Sequence, residues 1–196
     1  MKKVKLLAIL LGSLIECVNG ITVSENVVLT SADDISAYTG ADEIVIGQGA
    51  TLEFSGITDA ITLAMSISGS GTLKTSSCTS LKLSGNNSDF EGAMVFDKTK
   101  VEVAKNTALG SATVDFTNNG YAEANALLFT AAGTYTNDIT CRGTWLLDKT
   151  KDVVFTGVIT LSLSASRSEL GSLANRDKGS FRFQNQLVRT TGNSIW

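Results

Sequence analysis

Apolar residues recur along this chain in pairs that are two positions apart. This spacing places both side chains on one face of a β-strand and the residue between them on the other face. The intervening residue is often polar, as in LEF, LKL, VEV and VDF, which indicates strands with one buried face and one solvated face. The predicted pairs are Ile44/Ile46, Leu52/Phe54, Ile61/Leu63, Met65/Ile67, Leu81/Leu83, Met94/Phe96, Val101/Val103, Val114/Phe116, Leu127/Phe129, Trp145/Leu147, Val153/Phe155 and Leu161/Leu163.

Two short stretches are candidates for a helical turn. Residues 121–132, YAEANALLFTAA, contain alanines that permit one. In SADDISAY, residues 31–38, the adjacent carboxylates Asp33 and Asp34 suit the start of a helical turn. Because adjacent residues of a strand face opposite ways, this pair is a weak candidate for joint acid/base chemistry.

Short sequence segments repeat at a regular distance along the chain. IGQGATLEFSG aligns with ISGSGTLKTSS so that Gly47 matches Gly69 and Gly49 matches Gly71. An offset of about 22 residues predicts a solenoid, because one unit buries too little surface to fold alone and stacked units share a core. The chain contains 18 glycines and no proline, and β-branched residues supply many apolar positions, which favours an all-β fold.

A second repeat is DKTK, which begins at Asp97 and again at Asp148. This distance is near two units plus an insertion. A sandwich of antiparallel strands is the alternative fold, since it also has short alternating strands separated by turns. Asn119-Gly120 is a good hairpin dipeptide. The other turns are loose Gly, Asn and Ser clusters, and these, together with the repeated phrases, favour the solenoid.

Residues 81–116 resemble the passenger-associated repeat of bacterial autotransporters. The stretch reads LKLSGNNSDFEGAMVFDKTKVEVAKNTALGSATVDF. The positions that match the family pattern are Gly85, Asn86, Phe90, Gly92, Val101, Val103, Ala108, Leu109, Gly110, Ser111, Thr113 and Val114. The resemblance implies a right-handed parallel β-helix, secreted or displayed on the exterior of a Gram-negative outer membrane. With about 22 residues per coil, residues 21–175 would form roughly seven coils and a rod of about 34 Å.

The resemblance also assigns a role to SGNNSDFEG, residues 84–92, as the corner between two faces. Gly85 and Gly92 are expected to take backbone angles that a Cβ forbids. Phe90 is expected to tuck inward over the core. The remaining polar residues are expected to tolerate left-handed conformations and to satisfy local backbone groups: Asn86, Asn87 and Asp89.

The first twenty residues have the layout of a secretory signal peptide. MKKVK is basic, LLAILLGSLI is apolar and too short for a comfortable bilayer span, and ECVNG is a short exit with cleavage expected near Gly20. A lipoprotein signal at Cys17 is the alternative, against which Glu16 argues. The predicted organisation is a signal peptide at 1–20, an N-terminal cap or first coil at 21–43, the β-helix at 44–175 and an incomplete or uncapped segment at 176–196. No barrel strands follow residue 175, so a translocator barrel is expected to be missing.

Charge and composition exclude several kinds of chemistry. The net charge is −3 and becomes −5 once residues 1–20, with three lysines and one glutamate, are removed, so a nucleic-acid partner is not expected. The chain has no histidine, which excludes Ser-His-Asp and Cys-His arrangements. No metal site and no cofactor are predicted. Cys78 and Cys141 are separated by close to three coils, or about 14 Å along the axis, and are expected to remain unbridged.

No catalytic residue is assigned from the sequence. Asp42-Glu43 is expected to be solvated, and so are the charged DKTK corners. If the chain were an enzyme acting on glycans, the acid/base group to mutate first would be Asp97, Lys98, Asp148 and Lys149. The aromatic residues able to stack on sugars are more typical of core or scattered surface positions: Tyr121, Tyr135 and Trp145.

The functional hypothesis is a secreted or cell-surface passenger segment that acts as an adhesin or a structural display stalk, without catalysis. Its expected partners are glycans or proteins on host or neighbouring cells, and no membrane span is expected in the mature chain. The alternative hypothesis is a carbohydrate-active β-helix enzyme, either a polysaccharide lyase or a hydrolase.

Overall fold

The computed structural model describes residues 20–119, 126–144, 146–163, 169–170 and 178–191. These residues form twenty β-strands and one α-helix. The elements in chain order are β1 Gly20–Val23, β2 Val27–Leu29, α1 Ala32–Thr39, β3 Glu43–Ile46, β4 Thr51–Ser55, β5 Ala60–Leu63, β6 Ser66–Gly69, β7 Thr72–Ser76, β8 Ser80–Leu83, β9 Ala93–Asp97, β10 Lys100–Val103, β11 Thr113–Asn119, β12 Ala126–Phe129, β13 Gly133–Tyr135, β14 Ile139–Thr144, β15 Leu146–Lys149, β16 Val153–Phe155, β17 Ile159–Leu163, β18 Glu169–Leu170, β19 Phe181–Phe183 and β20 Leu187–Thr191.

The strands stack into four parallel sheets. The long sheet has eight strands in the order β2-β4-β7-β9-β11-β14-β17-β20, and a six-stranded sheet has the order β5-β8-β10-β12-β15-β18. Two three-stranded sheets, β1-β3-β6 and β13-β16-β19, complete the set. Each strand pairs with the equivalent strand of the next coil, and every pair among the described strands is parallel. The parallel β-solenoid prediction is therefore confirmed, and the antiparallel sandwich is wrong.

Successive coils repeat the same circuit around the solenoid. Seven strands of the long sheet lie between residues 27 and 163, so the chain completes about six turns from the first of them to the last. All eight strands, at about 4.8 Å per rung, span about 34 Å. The sequence prediction of roughly seven coils is close to this count.

The interior is a set of apolar ladders, because the inward residue of each strand lies over its register partner in the next coil. One ladder in the long sheet consists of Leu29, Phe54, Thr75, Phe96, Phe116, Cys141 and Leu161. In the six-stranded sheet, Leu63, Leu83, Val103 and Phe129 form another. Burial of one large apolar side chain contributes about 1.5–3 kcal/mol. The predicted apolar pairs supply most of this core.

The helix takes the place of a strand in the first coil. α1 follows β2 and contacts β5, the first strand of the six-stranded sheet. Ile35 of α1 is buried in the same core as Ile61 of β5. The helical turn predicted in SADDISAY is thus confirmed, and α1 covers an edge that would otherwise expose unpaired backbone groups. In the other candidate stretch, residues 121–132, strand β12 occupies 126–129, in agreement with the predicted pair Leu127/Phe129, and residues 120–125 lie outside the described residues.

The repeat offset seen in the sequence is an average and not a register. Ile46 pairs with Gly69, whereas Thr51 pairs with Thr72, so the distance between register partners falls by two positions across this corner. The corner between β6 and β7 is two residues shorter than the equivalent corner between β3 and β4, because Gly71 lies tight against the preceding coil. Its amide donates a 3.0 Å hydrogen bond to the Ile46 carbonyl, and a Cβ at Gly71 would clash with the Gly47 carbonyl.

The two DKTK segments lie at different corners of the solenoid. Asp97 ends β9 in the long sheet and pairs with Thr117 of β11. Asp148 lies within β15 in the six-stranded sheet and pairs with Leu128 of β12. The interpretation of DKTK as one repeated structural position is therefore wrong.

Candidate functional site

One face of the solenoid lacks a continuous sheet. Residues 84–92 and 104–112 cross this face between the sheets β1-β3-β6 and β13-β16-β19 with a single bridge, from Gly69 to Phe90. Backbone contacts continue the stack, since the Ser111 amide donates to the Phe90 carbonyl at 2.9 Å. We call this side of the molecule the interrupted face. The segment SGNNSDFEG thus crosses a whole face, whereas the sequence prediction made it a corner.

Gly85 and Gly92 are required for close packing and not for unusual backbone angles. Neither has a positive φ, so that part of the prediction is wrong. A Cβ at Gly85 would clash with the Met65 carbonyl of the preceding coil, and a Cβ at Gly92 with the Gly71 carbonyl. The glycines allow the irregular segment to approach the coil below it as closely as a strand would.

Asn87 joins three successive coils. Its Oδ1 accepts a 2.9 Å hydrogen bond from the Ile67 amide, and its Nδ2 donates a 2.7 Å hydrogen bond to the Ala108 carbonyl. The side chain is 1% exposed. The prediction for Asn86, Asn87 and Asp89 is wrong in two respects: none has a positive φ, and Asn87 satisfies backbone groups of neighbouring coils instead of local ones. Phe90 is fully buried, as predicted.

Asn137 plays a similar part on the far side of the interrupted face. Its Nδ2 lies 2.8 Å from the Ala112 carbonyl, 3.1 Å from that of Gly110 and 3.4 Å from that of Leu109. Asn137 is 3% exposed. Segment 104–112 is therefore held from both sides, by Asn87 below and Asn137 above. No motif in the sequence distinguishes Asn137 from an ordinary turn residue.

Between these segments lies a polar depression of about 190 Å³. It is open to solvent and crosses three consecutive coils. Its nine lining residues are Ser88, Asn106, Thr107, Gly110, Ser111, Thr134, Tyr135, Thr136 and Asn137. Sequence reasoning missed this site because its side chains come from three separate segments that share no motif. The surrounding hydroxyl and amide groups both donate and accept hydrogen bonds.

Tyr135 belongs to the inner wall of the depression. It is 1% exposed, and its hydroxyl donates a 3.1 Å hydrogen bond to the Ala131 carbonyl. Its ring packs edge-on against Phe129, with 4.7 Å between the centroids. Burial raises the pKa of Tyr135 to about 12, so the hydroxyl stays protonated. Tyr135 is therefore a core residue, and a core position is one of the two expected from the sequence for these aromatic residues. Tyr121 and Trp145 lie outside the described residues.

The acid/base group named from the sequence is not brought together. Lys98 is exposed with a φ of +47°, and Asp97 beside it is half-buried, as expected for a solvated corner. Asp148 and Lys149 are instead buried, at 3% and 5% exposed, so the solvated reading is wrong for this copy. Lys149 takes the register position of buried Phe129, and its Nζ lies 5.4 Å from the Phe181 ring centroid.

The other carboxylates named from the sequence have ordinary surroundings. Asp42 is exposed, and the Glu43 carboxylate accepts a 2.9 Å hydrogen bond from Ser68 Oγ of the next coil. Asp33 and Asp34 lie in α1, and their side chains are outside the described part of the structure. Within the described residues, no group of three or more His, Cys, Asp or Glu side chains is placed to hold a metal ion.

Both cysteines of the described chain are free and buried. Cys141 lies in β14, and Cys78 follows β7, which is three strands away in the long sheet. The register therefore agrees with the predicted separation of three coils. Burial, and to a lesser extent the charge of Asp115, raises the pKa of Cys141 to about 12, which keeps its thiol protonated and unreactive.

No helix within the described residues is long and apolar enough to cross a membrane. The predicted signal peptide falls almost wholly on residues 1–19, which lie outside the described residues. The chain matches no family model, and neither a curated protein nor a solved structure shows significant similarity to it.

Proposed function

We propose that the chain is a secreted or cell-surface β-solenoid segment of the autotransporter-passenger kind, acting as an adhesin or structural display stalk without catalysis. The observation that carries the proposal is the continuous stack of the long sheet over eight parallel strands. A shared interior makes such a stack a stiff rod whose length grows with each coil. This is the property that a display segment needs.

The surface of the rod supports the same interpretation. Charged side chains pair between neighbouring coils, as in Glu53–Lys74 at 3.2 Å, Lys82–Glu102 at 3.0 Å and Asp115–Arg142 at 3.0 Å. These pairs tie adjacent rungs and neutralise one another. Glycoside hydrolysis needs two carboxylates that flank one bond. Asp97 and Asp148, the acids named from the sequence, lie in different sheets, which supports a non-catalytic role.

The resemblance of residues 81–116 to the passenger-associated repeat of autotransporters supports the proposed location at the cell surface. The basic and apolar start of the chain supports export. Glycans or proteins of host or neighbouring cells are the proposed partners, and the exterior of a Gram-negative outer membrane is the proposed place.

Two assays of the purified full chain test the proposal. In the first, the chain is incubated with neutral and acidic polysaccharides, and new reducing ends and unsaturated uronic products are measured; no product is expected. Product that is lost in Asp97→Ala or Asp148→Ala would establish the enzyme alternative. In the second, beads coated with the chain are mixed with cells, and beads coated with the heat-denatured chain serve as the unfolded control. Adhesion that requires the folded chain supports the adhesin form of the proposal. If the folded chain does not adhere, the structural display stalk is the form that remains.

A further inference from the structure

We propose that the polar depression on the interrupted face binds one uncharged sugar ring of a glycan chain. This inference rests on the adhesin form of the proposed function and gives it a site and a ligand class. The depression lies where the regular sheet gives way to irregular segments. Side-chain and backbone groups of three coils therefore face one another around space that a regular sheet would fill.

The chemistry of the lining matches a neutral polyol. Hydroxyl groups come from Ser88, Ser111, Thr134 and Thr136, all exposed, and an exposed amide comes from Asn106. Hydroxyl and amide groups both donate and accept hydrogen bonds, as the hydroxyl groups of a sugar do. None of the nine lining residues carries a charge. A phosphate, sulfate or carboxylate ligand would therefore lack the cationic partner that such anions usually have.

One lining group has an unmet hydrogen-bonding requirement. Oγ1 of Thr107 is buried and has no hydrogen-bond partner within the described chain. Buried polar atoms without partners are rare, because each costs about 1–3 kcal/mol. The carbonyl of the same residue accepts hydrogen bonds from the amides of Asn87 and Gly110, at 3.2 and 3.1 Å, which fixes its backbone. Rotation of the Thr107 side chain would turn this buried oxygen toward the depression, where a hydroxyl group of a bound sugar is the kind of partner that it lacks.

The walls are fixed before a ligand arrives. The Asn137 side chain is held by carbonyl groups of segment 104–112, and Tyr135 is held by its hydroxyl bond to Ala131 and by the Phe129 ring. Such preorganisation lowers the entropy cost of binding. The volume of about 190 Å³ is below the roughly 300–1,000 Å³ of pockets that enclose a drug-sized ligand. One ring fits this space while the rest of the glycan extends into solvent.

Calorimetric titration of the full chain tests the site. The probes are neutral hexasaccharides of glucose, xylose, mannose and N-acetylglucosamine, with hexagalacturonate as the anionic comparison. At least one neutral probe is expected to bind, with affinity independent of salt and of pH between about 5 and 9, because no lining group titrates there. If none of the neutral probes binds, or if hexagalacturonate binds more tightly than all of them, the inference is overturned.

Variants locate the binding. Thr107→Val removes the unpartnered hydroxyl at nearly constant volume, so affinity is expected to fall about two- to tenfold while the melting temperature is unchanged or raised. Ser111→Trp fills the depression from an exposed position and is expected to abolish binding. The matched controls are Thr62→Val and Thr62→Trp, at an exposed position of β5 in the six-stranded sheet, and both are expected to bind like the unaltered chain. Unchanged binding in Ser111→Trp would place the ligand elsewhere and overturn the inference.

The bead assay separates this inference from the proposed function. If coated beads adhere to cells and Ser111→Trp beads adhere equally well, the sugar site is wrong and the adhesin proposal stands. If the folded chain yields glycan products, the proposed function itself is wrong. Adhesion that Ser111→Trp removes and the bound hexasaccharide inhibits supports both.

Discussion

The side-chain oxygen of Asn87 accepts a 2.9 Å hydrogen bond from the backbone amide of Ile67, which lies one coil earlier. The nitrogen of the same side chain reaches the Ala108 carbonyl of the next coil at 2.7 Å. One buried asparagine therefore supplies the hydrogen bonds that a strand would make at this point of the interrupted face. The solenoid keeps its backbone groups satisfied across a place where its sheet is broken.

Asn87→Ala is expected to destabilise the fold strongly. The substitution leaves the Ile67 amide and the Ala108 carbonyl buried without partners, at about 1–3 kcal/mol each. The measurement is the free energy of unfolding in urea. Asn86→Ala is the matched control, because Asn86 is the adjacent exposed asparagine, and it is expected to change stability by less than about 0.5 kcal/mol. Equal losses in the two variants would contradict the role given to Asn87.

Adjacent residues of β8 are expected to respond in opposite ways to an acidic side chain. Leu83 is fully buried between Leu63 and Val103, so Leu83→Asp places a charge in the ladder and is expected to cost more than about 4 kcal/mol. Lys82 is paired at the surface with Glu102, so Lys82→Glu is expected to cost about 1 kcal/mol or less. Thermal unfolding followed by circular dichroism measures both, and comparable melting temperatures would contradict the inward and outward assignment.

Replacement of Thr75 by valine is expected to stabilise the chain. Thr75 lies in register between Phe54 and Phe96, and its hydroxyl oxygen is buried with no partner in the described structure. Thr75→Val removes that oxygen at nearly constant volume, which is expected to add about 1 kcal/mol to the free energy of unfolding. Thr72→Val, at a half-buried position of the same strand, is the control and is expected to have little effect. A lower stability for Thr75→Val would show that the hydroxyl has a partner.

The stability contributed by Glu53 is expected to depend on pH. The hydrogen bond from Ser76 Oγ, at 2.6 Å, is the main reason that the pKa of the Glu53 carboxyl lies below 4.5; Lys74 lowers it further, and burial opposes both. Because folding lowers this pKa, the stabilisation is fully present above pH 4.5 and is lost as the pH falls through the pKa of the folded state.

Glu53→Gln should therefore be less stable than the unaltered chain near neutral pH, with a difference that shrinks at acidic pH. Ser76→Ala should reduce the pH dependence without abolishing it, because Lys74 remains. Urea unfolding between about pH 3 and 7 measures the difference. A difference that is constant across this range would contradict the assignment.

The fold could be predicted because alternation and repetition are both local properties of the sequence. Ile44 and Ile46, or Leu81 and Leu83, mark a buried face without reference to any other part of the chain. The register could be predicted less accurately than the fold, because the length of each corner depends on how closely one coil lies over another. Gly71 shortens its corner by packing against Gly47, and that contact involves two coils.

The candidate site could not be predicted from the sequence, because it exists only where separate coils meet. Asn87 was expected to serve its own turn, yet its partners are 20 and 21 residues away. Likewise, the two DKTK segments have the same sequence but different neighbours. The copy at Asp97 is a surface corner, whereas Asp148 and Lys149 of the other copy are buried. Identical residues take their environment from the coil above and the coil below.

The distances from Glu53 to successive register partners along the long sheet test whether the coils stack in parallel. Spin labels are placed on cysteine variants at residue 53 and, one at a time, at residues 140, 160 and 188, in a Cys17→Ser background in which Cys78 and Cys141 stay buried. These positions lie four, five and six rungs from Glu53. Stacked parallel coils predict double electron–electron resonance distances that rise by about 4.8 Å per rung, from about 19 Å to about 29 Å. Distances that fail to increase in this order would contradict the solenoid on which the proposed function rests.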